Sequence, residues 1–235
     1  ALGITAHIAI PADDAEGSGG RYLDPLGTLA WLAGQTSRIK LGTGVLILPY
    51  RPPLPTAKLL ATVQELSGGR VLLGVGIGWM RAEFRALGQN MRKRVSTSEN
   101  TLRFLHECFD NEVVSSNGQE FLFKPRPKRP PFLIGGAAPH AVDRALRRGD
   151  GWMPMGRLEK LVEPIRDYRE RAEAVGRTPH VVTSAALDAS NPTALRDTLA
   201  AHQAAGSTRV VTSARYTEGD ELLRYIDAVA NALWN

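Results

Sequence analysis

The sequence predicts an α/β fold, a TIM-type (β/α)8 barrel with a hairpin inserted before its fifth strand, and three observations carry that expectation. From Ile39 onward, six short β-rich runs alternate with longer amphipathic runs. Upstream, "ALGITAHIAIP" reads as one more strand, and "LDPLGTLA" to "WLAGQTSR" as its helix, which makes seven βα units. A closed barrel also shields both faces of a parallel sheet and removes its edges. The count is one unit short of eight. Because the chain starts at Ala1 and an open barrel leaves two unpaired edges, an N-terminal βα unit is expected to be missing, or segments between Ala1 and Asn100. All 235 residues are expected to form one domain.

The elements follow in order. "IKLGTGVLILP" is a strand closed by Pro49. "TAKLLATVQEL" is a helix with Leu59, Leu60, Val63 and Leu66 on one face, Thr56 as N-cap and Gly68-Gly69 as its stop. The strand "RVLLGVG" leads to a short helix, "MRAEFRALG", and a longer one, "STSENTLRFLHECF", that Ser98 or Thr97 can cap. "NEVVSSNGQEFLFKP" reads as a hairpin turned at Asn117-Gly118. The βα rhythm resumes with strand "PFLIGG", helix "PHAVDRALRRG", strand "DGWMPM" and helix "LEKLVEPIRDYRERAEAVG". It ends with strand "HVVTSAAL", helix "NPTALRDTLAAHQAAG", strand "RVVTSAR" and helix "GDELLRYIDAVANALW".

Composition narrows the function classes. With 29 Lys and Arg against 24 Asp and Glu, the net charge of +5 describes a solvated surface rather than a nucleic-acid site. The basic stretch "KPRPKRPP" is held extended by its prolines and reads as a connector. Cys108 is the only cysteine, so no disulfide forms within the chain and a reducing cytoplasm fits. It lies on an amphipathic helix as a small buried hydrophobe and has no catalytic role. No apolar stretch reaches the roughly 18–20 residues a membrane span needs.

Two glycine clusters end strands. "GVGIGW" fails the dinucleotide fingerprint, because Trp79 stands three residues after Gly76 where that motif needs glycine. Gly74, Gly76 and Gly78 instead strip Cβ from one side of the pleat, so a flat ring or phosphate can approach; the alternative is that they relieve crowding. Gly135-Gly136 close the next barrel strand before a helix near Pro139, which reads as an anion site or an ordinary βα turn. None of the five histidines, His7, His106, His140, His180 and His202, has a partner at a metal-ligand spacing, so no metal is expected. His7 stands out because it follows the first strand, where a barrel aims side chains at its mouth. Asp13, Asp14 and Glu16 lie in "PADDAEGSGG", a loop that would serve as a lid there.

The stretch from Thr36 to Gly88, together with "PFLIGGAAPHAVDRALRRGDGWMP", resembles the bacterial luciferase-like superfamily, particularly its deazaflavin-dependent oxidoreductases. The resemblance implies a luciferase-like (β/α)8 barrel that binds FMN or coenzyme F420 at the C-terminal face, often as a homodimer, and acts on a small organic molecule. "HIAIP" resembles the family's Asp-His segment, which places His7 at the histidine beside the cofactor ring, with Ala6 in place of the usual aspartate. "GTGVLILP" resembles the strand that carries a non-prolyl cis peptide in a bulge under the ring, with Val45, Leu46 and Ile47 as candidates. "GVGIGW" resembles the phosphate-side loop and makes Gly76, Ile77, Gly78 and Trp79 candidate contacts. "GGAAP" resembles the second cofactor loop, carried by Gly135, Gly136 and Ala137. FMN-using members often place an arginine near Ile77; the apolar residue points to F420, with Arg81 able to reach the phosphate one turn later. Hydride transfer through F420, with His7 as acid or base, is the expected activity. An FMN-dependent monooxygenase using O2 is the alternative, and a non-catalytic flavin-binding barrel is another.

Overall fold

The computed structural model describes residues 1–12, 20–214 and 216–234. Asp13, Asp14 and Glu16, the expected lid, lie outside the described residues. Two compact units divide the chain, Ala1–Gly135 and Gly136–Asn235.

In the first unit, β1 (Leu2–Ile4) leads to α1 (Pro25–Gln35). Asp24 starts α1 by accepting the Gly27 N–H at 2.8 Å, and Pro25 occupies the first turn, where no N–H is needed. The other end of α1 is stapled by Arg70, whose buried guanidinium donates to the carbonyls of Ala33, Thr36, Ile39 and Ser67. Of these, the carbonyls of Ala33 and Thr36 belong to the end of α1, where helix carbonyls lack partners within the helix.

β2 (Leu41–Ile47) runs into a 3-10 turn at Leu48–Tyr50 and then α2 (Pro53–Leu66). The helix starts three residues before Thr56, because Pro53 is already set for a first turn; the Thr56 hydroxyl donates to the Pro52 carbonyl instead of capping. Its buried face holds Ala57, Leu60, Ala61 and Val63, while Leu66 is 64% exposed. β3 (Val71–Gly76) is followed by α3 (Arg81–Ala86) and α4 (Arg94–Asp110). Neither Thr97 nor Ser98 caps α4. Asn90 caps the preceding 3-10 turn by accepting the Arg92 N–H, so the chain is already helical by Ser98, whose hydroxyl donates to the Arg94 carbonyl at 2.7 Å. Cys108 is fully buried on α4, and burial, with Glu107 nearby, pushes its thiol up to about 12, which keeps it protonated.

The hairpin is present as β4 (Val113–Ser116) and β5 (Gln119–Leu122), antiparallel. Asn117 and Gly118 both have positive φ, 51° and 78°, as a two-residue hairpin turn requires. β6 (Phe132–Gly135) completes the unit. Its four strands pair in parallel in the order β1-β2-β3-β6, so their C-terminal ends share one side. Gly78 falls beyond β3, so the three glycines do not share one face of a strand as the alternation predicted.

The second unit contains α5 (His140–Arg148), β7 (Gly151–Met153), α6 (Val162–Ala174), β8 (Val182–Ser184), α7 (Pro192–Ala204), β9 (Arg209–Val211) and α8 (Gly219–Trp234). β8 and β9 pair in parallel, and Trp152 bridges Val181 in the same sense. Trp152, Ile165, Tyr168 and Leu195 are buried there. The buried His202 is hydrogen-bonded to the Thr183 hydroxyl at 2.7 Å, so this histidine is structural. The order of seven strands, each followed by helix, with a hairpin before β6, is the one the sequence pattern predicts.

Candidate functional site

The C-terminal ends of β2, β3 and β6 meet at one side chain, Val45. In β2 the pairing with β3 slips between Thr43 and Leu46, and the Gly44–Val45 peptide in this bulge is cis. Leu46 is fully buried, and Ile47 packs with Tyr50 and Phe84. Val45, half-buried, fills the notch between two glycines. A Cβ on Gly76 would stand 2.7 Å from Val45 Cγ2, and one on Gly135 would stand 3.0 Å from Val45 Cγ1 and 2.9 Å from the Val75 carbonyl. At Gly78 a Cβ would meet Ile47 Cγ2 and Phe84 Cε2, each at 2.9 Å.

These glycines therefore make room for protein side chains. Val45, Ile47 and Phe84 are what their bare faces meet in this structure. Gly78 also has a φ of +78°, which an L side chain rarely adopts. Gly78→Ala is expected to cost about 2 kcal/mol, from strained φ and from pushing Phe84 and its helix outward. Chemical denaturation of the variant measures this.

Ile77 is half-buried, Trp79 is 66% exposed, and Arg81, the first residue of α3, is exposed with no ion-pair partner among the described residues. Two residues on, the same helix carries Glu83, only 1% exposed. This carboxylate gathers four hydrogen bonds. Oε1 accepts the backbone N–H groups of Ile8 at 2.7 Å and Ala9 at 3.1 Å. Oε2 accepts the Tyr50 hydroxyl at 3.0 Å and His7 Nδ1 at 3.0 Å.

Burial alone would raise the carboxyl of Glu83; the Ile8 and Ala9 amides, with His7 and Tyr50, outweigh it and hold the group below its ordinary value. Burial, reinforced by the Glu83 charge, pushes the Tyr50 phenol far above its ordinary value, so it remains a donor. An ionised carboxylate only accepts, so Nδ1 of His7 must carry a proton and donate it. That sets the tautomer: in the neutral ring, Nε2 has the lone pair. Among the described residues Nε2 has no partner, and the His7 side chain is 22% exposed. Tyr22 at 4.8 Å and Trp79 at 6.4 Å between ring centroids flank the imidazole.

The sequence pattern singled out His7 but missed Glu83 and Tyr50. The available signal was an acidic residue in "RAEF", one position from the buried Phe84 on a six-residue helix. Nothing local joins it to His7, 76 residues away. In the second unit, Gly136 has its N–H committed to the Met153 carbonyl at 3.2 Å, and its carbonyl accepts Trp152 Nε1 at 2.9 Å. The Gly136 N–H is therefore engaged within the protein. Ala137 is exposed and its carbonyl accepts the Ala141 N–H, within an ordinary entry to α5.

Among the described residues no cluster of three or more His, Cys, Asp or Glu could hold a metal ion. No described helix is long and apolar enough to cross a membrane. The chain is 30% identical over 223 residues to an uncharacterized protein of Mycobacterium tuberculosis, covering 91% of this chain and 77% of that one. It is 31% identical over 153 residues to an FMNH2-dependent dimethylsulfone monooxygenase of Pseudomonas fluorescens, covering 61% of this chain and 42% of that enzyme. In fold it is similar to the coenzyme F420-dependent tetrahydromethanopterin reductase of Methanopyrus kandleri, with a TM-score of 0.68, 16% identity and coverage of 87% of this chain and 86% of the other. The sequence model of the luciferase-like monooxygenases matches residues 6–232, nearly the whole chain, and the chain belongs to that family.

Proposed function

We propose that this chain is an oxidoreductase that transfers a hydride between coenzyme F420 and a small organic substrate, on a (β/α)8 barrel scaffold and as a cytoplasmic homodimer. The observation that carries the reading is the His7–Glu83 pair at the C-terminal ends of parallel strands, beside the exposed Trp79. The residues present fit a flat, largely apolar ring system: Val45 and Ile77 are partly exposed, and Gly44 and Trp79 are open to solvent. When bound, F420 would accept or give up the hydride, which itself carries the two electrons.

The chain's own residues do the rest. Val45 and Ile77 offer an apolar surface, Trp79 walls it from water, and Arg81 offers a cation to a phosphate. Glu83 holds the imidazole of His7 in one tautomer, and Nε2 takes or gives the proton at the substrate oxygen as that oxygen changes charge. The apolar Ile77, together with the family resemblance, favours F420.

A second reading, an FMN-dependent monooxygenase, is favoured by the dimethylsulfone relative, of which this chain spans less than half. Titrating the protein with each cofactor and following fluorescence separates the two. Tighter binding of F420, with loss of its absorbance on adding an oxidisable substrate, supports hydride transfer. Binding of reduced FMN alone, with oxygen uptake, sinks the F420 reading in favour of the second. If neither cofactor binds, both fall.

A further inference from the structure

Tyr50 is buried, and its hydroxyl donates to the same carboxylate oxygen that holds His7. Resting on the proposed role of His7, we infer that Tyr50 is a positioning residue that sets the proton affinity of His7 through the shared Oε2 of Glu83. Two donors divide the charge of one oxygen: what the phenol takes is withheld from the imidazole.

The arrangement leaves few competing groups. Oε1 is occupied by the Ile8 and Ala9 amides, so the carboxylate cannot answer a change at Oε2 by recruiting the backbone. On α3, Arg81 and Arg85 are exposed and, among the described residues, make no ion pair with Glu83. Arg51, beside Tyr50, is paired with Asp24. Tyr22 touches His7 through its ring. Tyr50 itself is locked in place by Phe84, whose ring meets it edge-on at 5.0 Å, and by Ile47. The phenol therefore cannot swing away when the imidazole gains a proton, and it stays protonated because burial and the neighbouring carboxylate oppose its ionisation.

The test reads His7 directly, in the full chain without cofactor, by titrating the histidine Cε1–H signals in NMR; the His7 signal is the one lost in His7→Asn. In Tyr50→Phe the undivided charge on Oε2 is expected to move the His7 midpoint upward by about half a pH unit or more. Placing 3-fluorotyrosine at position 50 makes the phenol a stronger donor and is expected to move the midpoint downward. Opposite shifts with an unmoved His202 signal support the assignment. A midpoint that stays put in Tyr50→Phe while only thermal stability falls makes Tyr50 structural and overturns it. If Tyr50→Phe does not fold, the fluorinated protein decides alone, and an unshifted or raised midpoint overturns the inference. Should the midpoints move as expected while His7→Asn keeps full turnover, the coupling stands and the proposed role of His7 falls.

Discussion

Replacing Glu83 by leucine is expected to cost about 3–5 kcal/mol of folding stability, the largest effect of any single change at this site. The reason is the number of donors stranded at once. The Ile8 and Ala9 amides, the Tyr50 hydroxyl and Nδ1 of His7 all end on this carboxylate, and leucine offers none of them an acceptor. Urea denaturation measures the loss, and an unchanged midpoint would show that the network contributes nothing to stability. Glu83→Gln separates stability from chemistry. Its carbonyl oxygen can still accept the two amides, but its NH2 faces Tyr50 and His7 as a donor. Nδ1 must then accept, the tautomer reverses and Nε2 carries the proton, so turnover is expected to fall by about 10²-fold or more with the fold kept.

The pH dependence follows from the direction of the Glu83 shift. Its carboxyl sits below the ordinary value of 4.5 in the folded chain, so the folded state binds this proton less readily than the unfolded one. The stabilisation is complete above the unfolded value and drains as pH falls through the folded one. Denaturation curves taken from about pH 7 down to about pH 3 should therefore converge for the parent and Glu83→Gln at the acid end. Curves that stay a constant distance apart contradict this assignment.

His7→Asn is expected to lower turnover by about 10²- to 10⁴-fold, the usual contribution of a positioned acid or base, with little change in cofactor affinity. Asparagine is the informative substitute, because its side-chain NH2 can still donate to Glu83 Oε2 and keep the network satisfied, while nothing replaces Nε2. The loss should be seen in single-turnover rates with the cofactor that binds, which keeps binding and product release out of the measurement. Unchanged turnover removes His7 from the chemistry. A lost fold would instead mark it as a structural member of the Glu83 network, and circular dichroism distinguishes the two.

Much of the scaffold was legible because its signals are local. The hairpin announced itself through Asn117-Gly118, since few residues other than these adopt the positive φ its turn needs. Helix starts were read less well at α2 and α4. There Pro53 and Asn90 act ahead of the hydroxyl residues that the pattern favoured, and both Thr56 and Ser98 turn their hydroxyls onto carbonyls of the preceding turn. In "GVGIGW" a Cβ on Gly76 or Gly78 would crowd its neighbours, so the backbone is bare there. What occupies the bared space was not legible, because Val45 and Ile47 come from another strand and Phe84 from the helix beyond.

His7 could be named in advance because a histidine directly after a first strand stands out by position. Its partner could not. Glu83 is one of 24 acidic residues, and nothing in its neighbours marks it as buried. By itself the sequence determined the succession of strands and helices, the hairpin, the parallel sense of the pairing and the presence of His7 at a strand end, since each depends on periodicity, turn chemistry or chain order. Only the tertiary structure decided that Glu83 and Tyr50 stand at His7, that the glycine notches are filled by Val45, Ile47 and Phe84, and that the Gly136 amide is already taken. Those outcomes depend on which distant side chains compete for one space or one hydrogen bond, and that competition is settled when the elements pack.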